Sequence, residues 1–182
     1  DEICANLLTL SKNRKKIKMV KKKEKSFNLT IFNTIVRKLS YKLTSDQIRV
    51  IDQINKDLSS SRKMFRILQG DVGSGKTIVA LLAIANVVQS GFQSAFMDPT
   101  EILAKQHYES AKSIYQDLNF NIEFLTGKTD YKKKKEIINK LKLGKIDIIF
   151  GTHSLFQKKI FFKNLGFIII DEQHKFGVKQ RL

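Results

Sequence analysis

Eight consecutive residues carry the strongest chemical signal in this chain: Gly70-Asp71-Val72-Gly73-Ser74-Gly75-Lys76-Thr77. Glycine at the first and sixth places, followed by lysine and threonine, is the spacing of a phosphate-binding loop. Glycines let backbone N–H groups close around phosphate oxygens without a Cβ in the way. A helix starting within the loop adds the positive end of its dipole. Lys76 would then reach the β- and γ-phosphates, and the Thr77 hydroxyl is suited to ligate magnesium. The expected ligand is a nucleoside triphosphate with Mg2+.

A second constellation follows at Phe167-Ile168-Ile169-Ile170-Asp171-Glu172-Gln173-His174. An apolar run ends there in two carboxylates. If that run is a strand pointing its C-terminal end at the loop, Asp171 would hold the magnesium ion, usually through water. Glu172 would orient or deprotonate an attacking water. Two acids after a strand are a weak signal alone. At 171 − 76 = 95 residues beyond the loop lysine, they are a strong one. His174 has no second metal ligand at helical spacing, so Gln173 and His174 are expected to couple the nucleotide site to a polymer site.

The surrounding pattern supplies elements that can position both motifs. Thr44 or Ser45 can cap a helix over residues 46–58. A short strand is expected over 65–69, then a helix over 76–89 ended by Gly91. Strands at 94–97, 121–125, 146–150 and 167–170 alternate with helices at 101–118 and 131–143, the latter ended by Gly144. Apolar strands without polar alternation are buried on both faces, as in a parallel sheet covered by helices. The fold class is therefore α/β, a doubly wound, mostly parallel sheet. Residues 1–25 read as one helix that turns strongly basic, and residues 26–40 as a transition with a short amphipathic piece. The division expected is a basic helical linker over 1–40 and a nucleotide-binding lobe over 41–182.

Composition narrows the class. No apolar run approaches the roughly 18 residues of a membrane span. The first residues, Asp1 to Leu8, lack the basic start of a signal peptide, and a membrane partner is not expected. The lone cysteine, Cys4, forms no internal disulfide and no cysteine metal cluster, which fits a cytoplasmic setting. Thirty-four Lys+Arg against 17 Asp+Glu leave a charge of +17. A surplus that large favours a polyanionic partner. Lysine-rich coding bias is the competing explanation of the same number.

With these motifs in place, the chain resembles the first motor lobe of superfamily 2 helicases, and within them the bacterial branch-migrating DNA helicases. Leu43-Thr44-Ser45-Asp46-Gln47 resembles the motif whose glutamine contacts adenine. Pro99-Thr100-Glu101-Ile102-Leu103-Ala104-Lys105-Gln106-His107 resembles the motif that holds the DNA backbone. Leu125-Thr126-Gly127 and Gly151-Thr152-His153 resemble two further strand-tracking motifs. Near relatives, the transcription-repair coupling factor and the primosomal helicase, more usually carry Asp-Glu-Glu-His where this chain has Asp171-Glu172-Gln173-His174. Gln173 therefore favours the branch-migrating group.

The resemblance implies a RecA-like lobe that binds ATP at Gln47 and Gly70 to Thr77. It implies Lys76, Asp171 and Glu172 as the hydrolytic groups and Thr77 and Asp171 as magnesium ligands. Sequence-independent contacts to branched or forked DNA are implied at Pro99, Thr100, Glu101, Thr126, Gly127, Thr152 and His153. A second RecA-like lobe, carrying an arginine finger, and an upstream wedge domain are the implied partners in a longer protein. The lobe alone is expected to bind ATP and hydrolyse it poorly. His107 reads as a helix-surface residue. Asp98 departs from the family pattern, which usually has a small apolar residue there. A carboxylate at that place should weaken a grip on DNA phosphate unless it points away or is paired.

Overall fold

Alternating apolar runs become four parallel strands, in the order β2-β3-β1-β4. They are β1 (Gln93–Met97), β2 (Ile122–Leu125), β3 (Ile148–Gly151) and β4 (Leu165–Ile170). The computed structural model describes residues 22–27, 29–157 and 159–172. Helices α1 (Leu29–Lys38), α2 (Ser45–Ser59), α3 (Lys76–Gln89), α4 (Glu101–Ile114) and α5 (Tyr131–Leu143) surround the sheet, with a 3-10 turn at His153–Phe156.

Strands β1, β2 and β3 present alternate residues to two cores, as a period of two allows, while β4 packs only Phe167 and Ile169 against the larger one. Phe96, Ile148 and Phe150 face a core built with Ile35, Ile51, Leu58, Leu81 and Tyr115. Ala95, Ile149 and Leu125 face a smaller one with Ile137 and Leu141 of α5. Helix α3 lies deepest, with Leu81 to Ala85 completely buried. A helix apolar all round belongs in such a place. Two polar contacts attach it to its neighbours: the Tyr115 hydroxyl donates to the Leu81 carbonyl at 2.6 Å, and Asn86 Nδ2 donates to Asn55 Oδ1 at 2.9 Å.

The helix ends follow their side chains. Thr44 and Gln47 form a reciprocal cap on α2. Thr100 caps α4, and Asp130 caps α5 through Lys132 and Lys133 N–H groups. Gly144 ends α5 at φ +74°, a conformation that costs glycine little.

Four expectations are corrected. The segment at residues 65–69 is not a strand; it runs extended beside α2 without joining the sheet. Arg66 explains its position, because its guanidinium binds Asp57 at 2.7 Å and Gln53 at 3.0 Å on α2. As a result β4 is an edge strand among the described residues, and Leu165, Ile168 and Ile170 are exposed rather than buried on both faces. The basic helix expected over 1–25 lies mostly outside the described residues, and residues 22–25 are not helical. Lys22 instead caps the C-terminal end of α2, donating to the carbonyls of Leu58 and Ser60. Lys25 is buried with its ammonium 4.6 Å from the Phe92 ring centre. Burial pulls its pKa down to about 8, with Lys22 adding to the shift. Helix α1 is also more than a linker, since Ile35 sits in the main core.

The tightest point in the sheet is Gly151, at the end of β3. A methyl group there would collide with the Leu125 backbone carbonyl on β2, and a carbonyl in a sheet cannot swing aside. Gly151→Ala should destabilise the lobe by about 1–3 kcal/mol or more, the usual range for overpacking. Urea unfolding monitored by circular dichroism measures this, and a wild-type midpoint would contradict the packing described.

Candidate nucleotide site and the strand edge around it

The phosphate-loop sequence forms a turn that delivers the chain into α3. Gly73 and Gly75 have φ of +80° and +79°, a region that L side chains seldom occupy. Gly75 needs its lack of Cβ twice over, because a methyl there would also strike the Gln47 amide. Lys76 begins the helix, and its ammonium donates to the Gly70 and Asp71 carbonyls at 2.8 and 2.7 Å. The cation is thus held within the curve of its own loop. Asp71, Val72 and Ser74 are exposed around it.

Gln47 reaches the same loop from α2. Its Oε1 accepts from the Thr44 N–H at 2.9 Å, and its Nε2 donates to the Ser74 carbonyl at 2.9 Å. One amide N–H is left over for a base. Gln47 therefore ties the loop to α2 besides standing where an adenine contact is expected.

Parallel register brings the remaining candidates to one edge. Met97 pairs with Gly151 and with Ile170, and Leu125 pairs with Gly151. The residues just past these pairs are Thr126, Thr152, Asp98 and Asp171, in sheet order. Asp171 is anchored by its N–H to the Met97 carbonyl at 2.9 Å. Glu172 follows with φ +48°, the one non-glycine positive φ among the described residues. Such a conformation costs free energy in a non-glycine residue and clusters at functional sites.

His107 joins the two halves of the site. The residue expected on a helix surface is instead mostly buried, its side chain 13% exposed. Nε2 lies 3.4 Å from Thr77 Oγ1 and 4.0 Å from Asp171 Oδ2. Nδ1 lies 2.8 Å from Asp98 Oδ1. Asp98 is fully buried and paired with His107. Burial raises the Asp98 carboxyl, partly opposed by His107. Burial also works against a charged His107, but the hydrogen bond and charge of Asp98, with Asp171 beyond, raise its pKa on balance. The sequence held a usable signal: Ala104, His107 and Ala111 share one face of α4, and both alanines are buried.

The donor set fits the groups expected. Thr77 and Asp171 offer hard oxygen atoms within 3.4 and 4.0 Å of one imidazole nitrogen, and oxygen donors of that kind suit Mg2+. The loop offers glycine-opened backbone and an ammonium, which suits phosphates.

The expected DNA contacts are arranged less uniformly. Thr100 is exposed, but its oxygen already accepts from the Leu103 N–H at 3.3 Å. Thr126 and Thr152 are buried, which leaves their hydroxyls little room for the DNA contacts the resemblance implies. Thr126 accepts from the Lys128 N–H, and Thr152 Oγ1 lies 3.4 Å from Ser154 Oγ. Their exposed neighbours are Gly127 and His153, and Pro99 is half-buried. Glu101 pairs with Lys128 at 3.1 Å, and that hydrogen bond holds its carboxyl below the usual value. Gln173 and His174 lie outside the described residues.

Comparisons with known proteins agree with this geometry. The family model described as "DEAD/DEAH box helicase" matches residues 44–182. The chain is 46% identical over 181 residues to the ATP-dependent DNA helicase RecG of Aquifex aeolicus, covering all of this chain and 23% of that protein. It is 49% identical over 146 residues to RecG of Thermotoga maritima, covering 80% of this chain and 19% of that protein. A solved structure, "Structure of RecG bound to three-way DNA junction", superposes with a TM-score of 0.85 at 43% identity, covering 91% of this chain and 23% of that one. The chain spans about a fifth to a quarter of the length of these relatives. The phosphate loop, the acidic strand end and the parallel sheet that joins them, together with a family model covering most of the sequence, place this chain in the DEAD/DEAH box helicase family.

Proposed function

We propose that this chain is the ATP-binding motor lobe of an ATP-dependent DNA helicase or translocase, acting on branched DNA and stalled forks in recombination and repair. The observation that carries the reading is the meeting of Thr77 and Asp171 at His107, beside Lys76, at the edge of a parallel sheet. Similarity to a RecG solved on a three-way junction supports the substrate class.

In this reading ATP lies along Gly70 to Thr77, with its base near Gln47. Lys76 turns its ammonium from loop carbonyls to the β/γ-phosphates. Glu172 accepts the proton of the attacking water at a carboxylate oxygen, so that hydroxide character develops in line with the γ-phosphorus. Magnesium, held by Thr77 and Asp171, would neutralise phosphate charge. Residues 41–182 form the first RecA-like lobe, and a second lobe and a wedge domain of the full-length chain are its partners. Gln173 and His174 pass the state of the nucleotide to the DNA side. The setting is cytoplasmic, and no helix among the described residues is long and apolar enough to cross a membrane.

DNA is held through its phosphates rather than its bases, by Thr100, Gly127 and His153 and by backbone N–H groups around Thr126 and Thr152, with Pro99 shaping the turn and Glu101 acting through its ion pair with Lys128. Phosphate contacts carry no base information and release counterions. Three-way junctions of two unrelated base sequences should therefore bind within roughly twofold of each other. The log of affinity should fall linearly with the log of salt, with a slope near 0.9 per phosphate contact. Fluorescence anisotropy over a salt series tests both. Strong dependence on base sequence, or affinity indifferent to salt, would overturn the reading.

A further inference from the structure

The reading above uses His107 only as the place where Thr77 and Asp171 meet and gives the Asp98–His107 pair no task of its own, yet the pair lies against both proposed magnesium ligands. Asp98 is completely buried at the end of β1, and burying a carboxylate is costly unless it is paired. Its Oδ1 meets His107 Nδ1 at 2.8 Å, while its Oδ2 has no hydrogen-bond partner. The His107 ring is fixed on its other side by Phe96, with ring centres 4.8 Å apart. With Nδ1 committed to Asp98 and the Phe96 ring packed at a tilt against the imidazole, the direction of Nε2 is determined. That nitrogen is what Thr77 Oγ1 meets at 3.4 Å and Asp171 Oδ2 at 4.0 Å. These residues come from three elements, α3, α4 and the end of β4, so no local feature accounts for their meeting.

We propose that Asp98 and His107 are a positioning pair for the divalent cation of the nucleotide site. Asp98 sets the ring, and His107 Nε2 sets the directions of the Thr77 hydroxyl and the Asp171 carboxylate. Neither member touches the nucleotide. Groups that orient metal ligands from behind typically contribute 10- to 100-fold to metal affinity. The inference rests on Thr77 and Asp171 being the metal ligands, and the experiment separates the two ideas.

The probe is Mn2+, whose free aqueous ion is counted directly by its electron paramagnetic resonance signal. Full-length protein is titrated with Mn2+ in the presence of a non-hydrolysable ATP analogue. His107→Ala should weaken Mn2+ uptake by about 10- to 100-fold. His107→Gln, whose amide can stand near the lost Nε2, should recover part of that loss. Asp98→Ala should weaken uptake in the same direction. It removes a buried carboxylate with one unsatisfied oxygen and serves as the second variant should His107→Ala fail to fold. Affinity for the same analogue in EDTA should be unchanged in all three, which a general loosening of the lobe would not give. Wild-type Mn2+ uptake in His107→Ala and Asp98→Ala, with uptake lost in Asp171→Asn, would overturn the positioning role and leave the metal ligands standing. Wild-type uptake in Asp171→Asn would overturn both.

Discussion

Replacing Lys76 by alanine should weaken ATP binding by about 10- to 100-fold. A charge-assisted hydrogen bond to a phosphate contributes roughly 1.5–3 kcal/mol, and each 1.4 kcal/mol is about a factor of ten. The ammonium is already inside the loop, where the Gly70 and Asp71 carbonyls hold it, so little ordering remains to be done when phosphate arrives. The variant loses those two loop contacts as well. Its thermal midpoint should nevertheless stay near that of the wild type, because the loop is exposed and carries no part of the core. Titration of a fluorescent ATP analogue with magnesium measures the affinity. An unchanged dissociation constant would mean that phosphates do not meet this lysine.

Glu172→Gln should separate binding from turnover. The substitution keeps the size and hydrogen-bonding reach of the side chain but removes the base. General-base catalysis contributes about 10²–10⁴-fold, or roughly 3–5 kcal/mol of barrier. The full-length protein carrying this change should bind ATP as the wild type does and release phosphate at least about 100-fold more slowly. The left-handed backbone at Glu172 makes the position demanding in its own right. Glutamine faces the same backbone cost, so the comparison isolates the carboxylate. A variant that turns over at the wild-type rate would assign the water-activating role elsewhere.

The sequence was most legible where structure is local. Residues 76–89 and 131–143 form the helices expected, because their ends are written beside them, Gly75 and Gly91 around one and Asp130 and Gly144 around the other. Gly73, Gly75 and Lys76 were legible for the same reason: a phosphate loop is a contiguous turn. Pairing between distant segments was less so. The apolar run at residues 65–69 signals an extended chain but not its neighbour, and Arg66 draws it to α2 instead of the sheet. The exposure of Ile168 and Ile170 follows from that, since an edge strand has the same composition as a central one. His107 shows the limit most clearly. Its helix and its face could be read from periodicity, but its contacts with Thr77, Asp98 and Asp171 span up to 64 residues of sequence, 171 − 107, and depend on how four elements pack. The buried hydroxyls of Thr126 and Thr152 have the same origin: a threonine after a strand can turn inward or outward, and the loop that follows decides.

Phosphate release by the full-length protein, with and without a three-way DNA junction, tests the central claim most directly. The account predicts turnover that rises when the junction is added in the wild type, and no such rise in Lys76→Ala or Glu172→Gln. Turnover indifferent to the junction, or junction-stimulated turnover that survives the loss of Lys76, would contradict it.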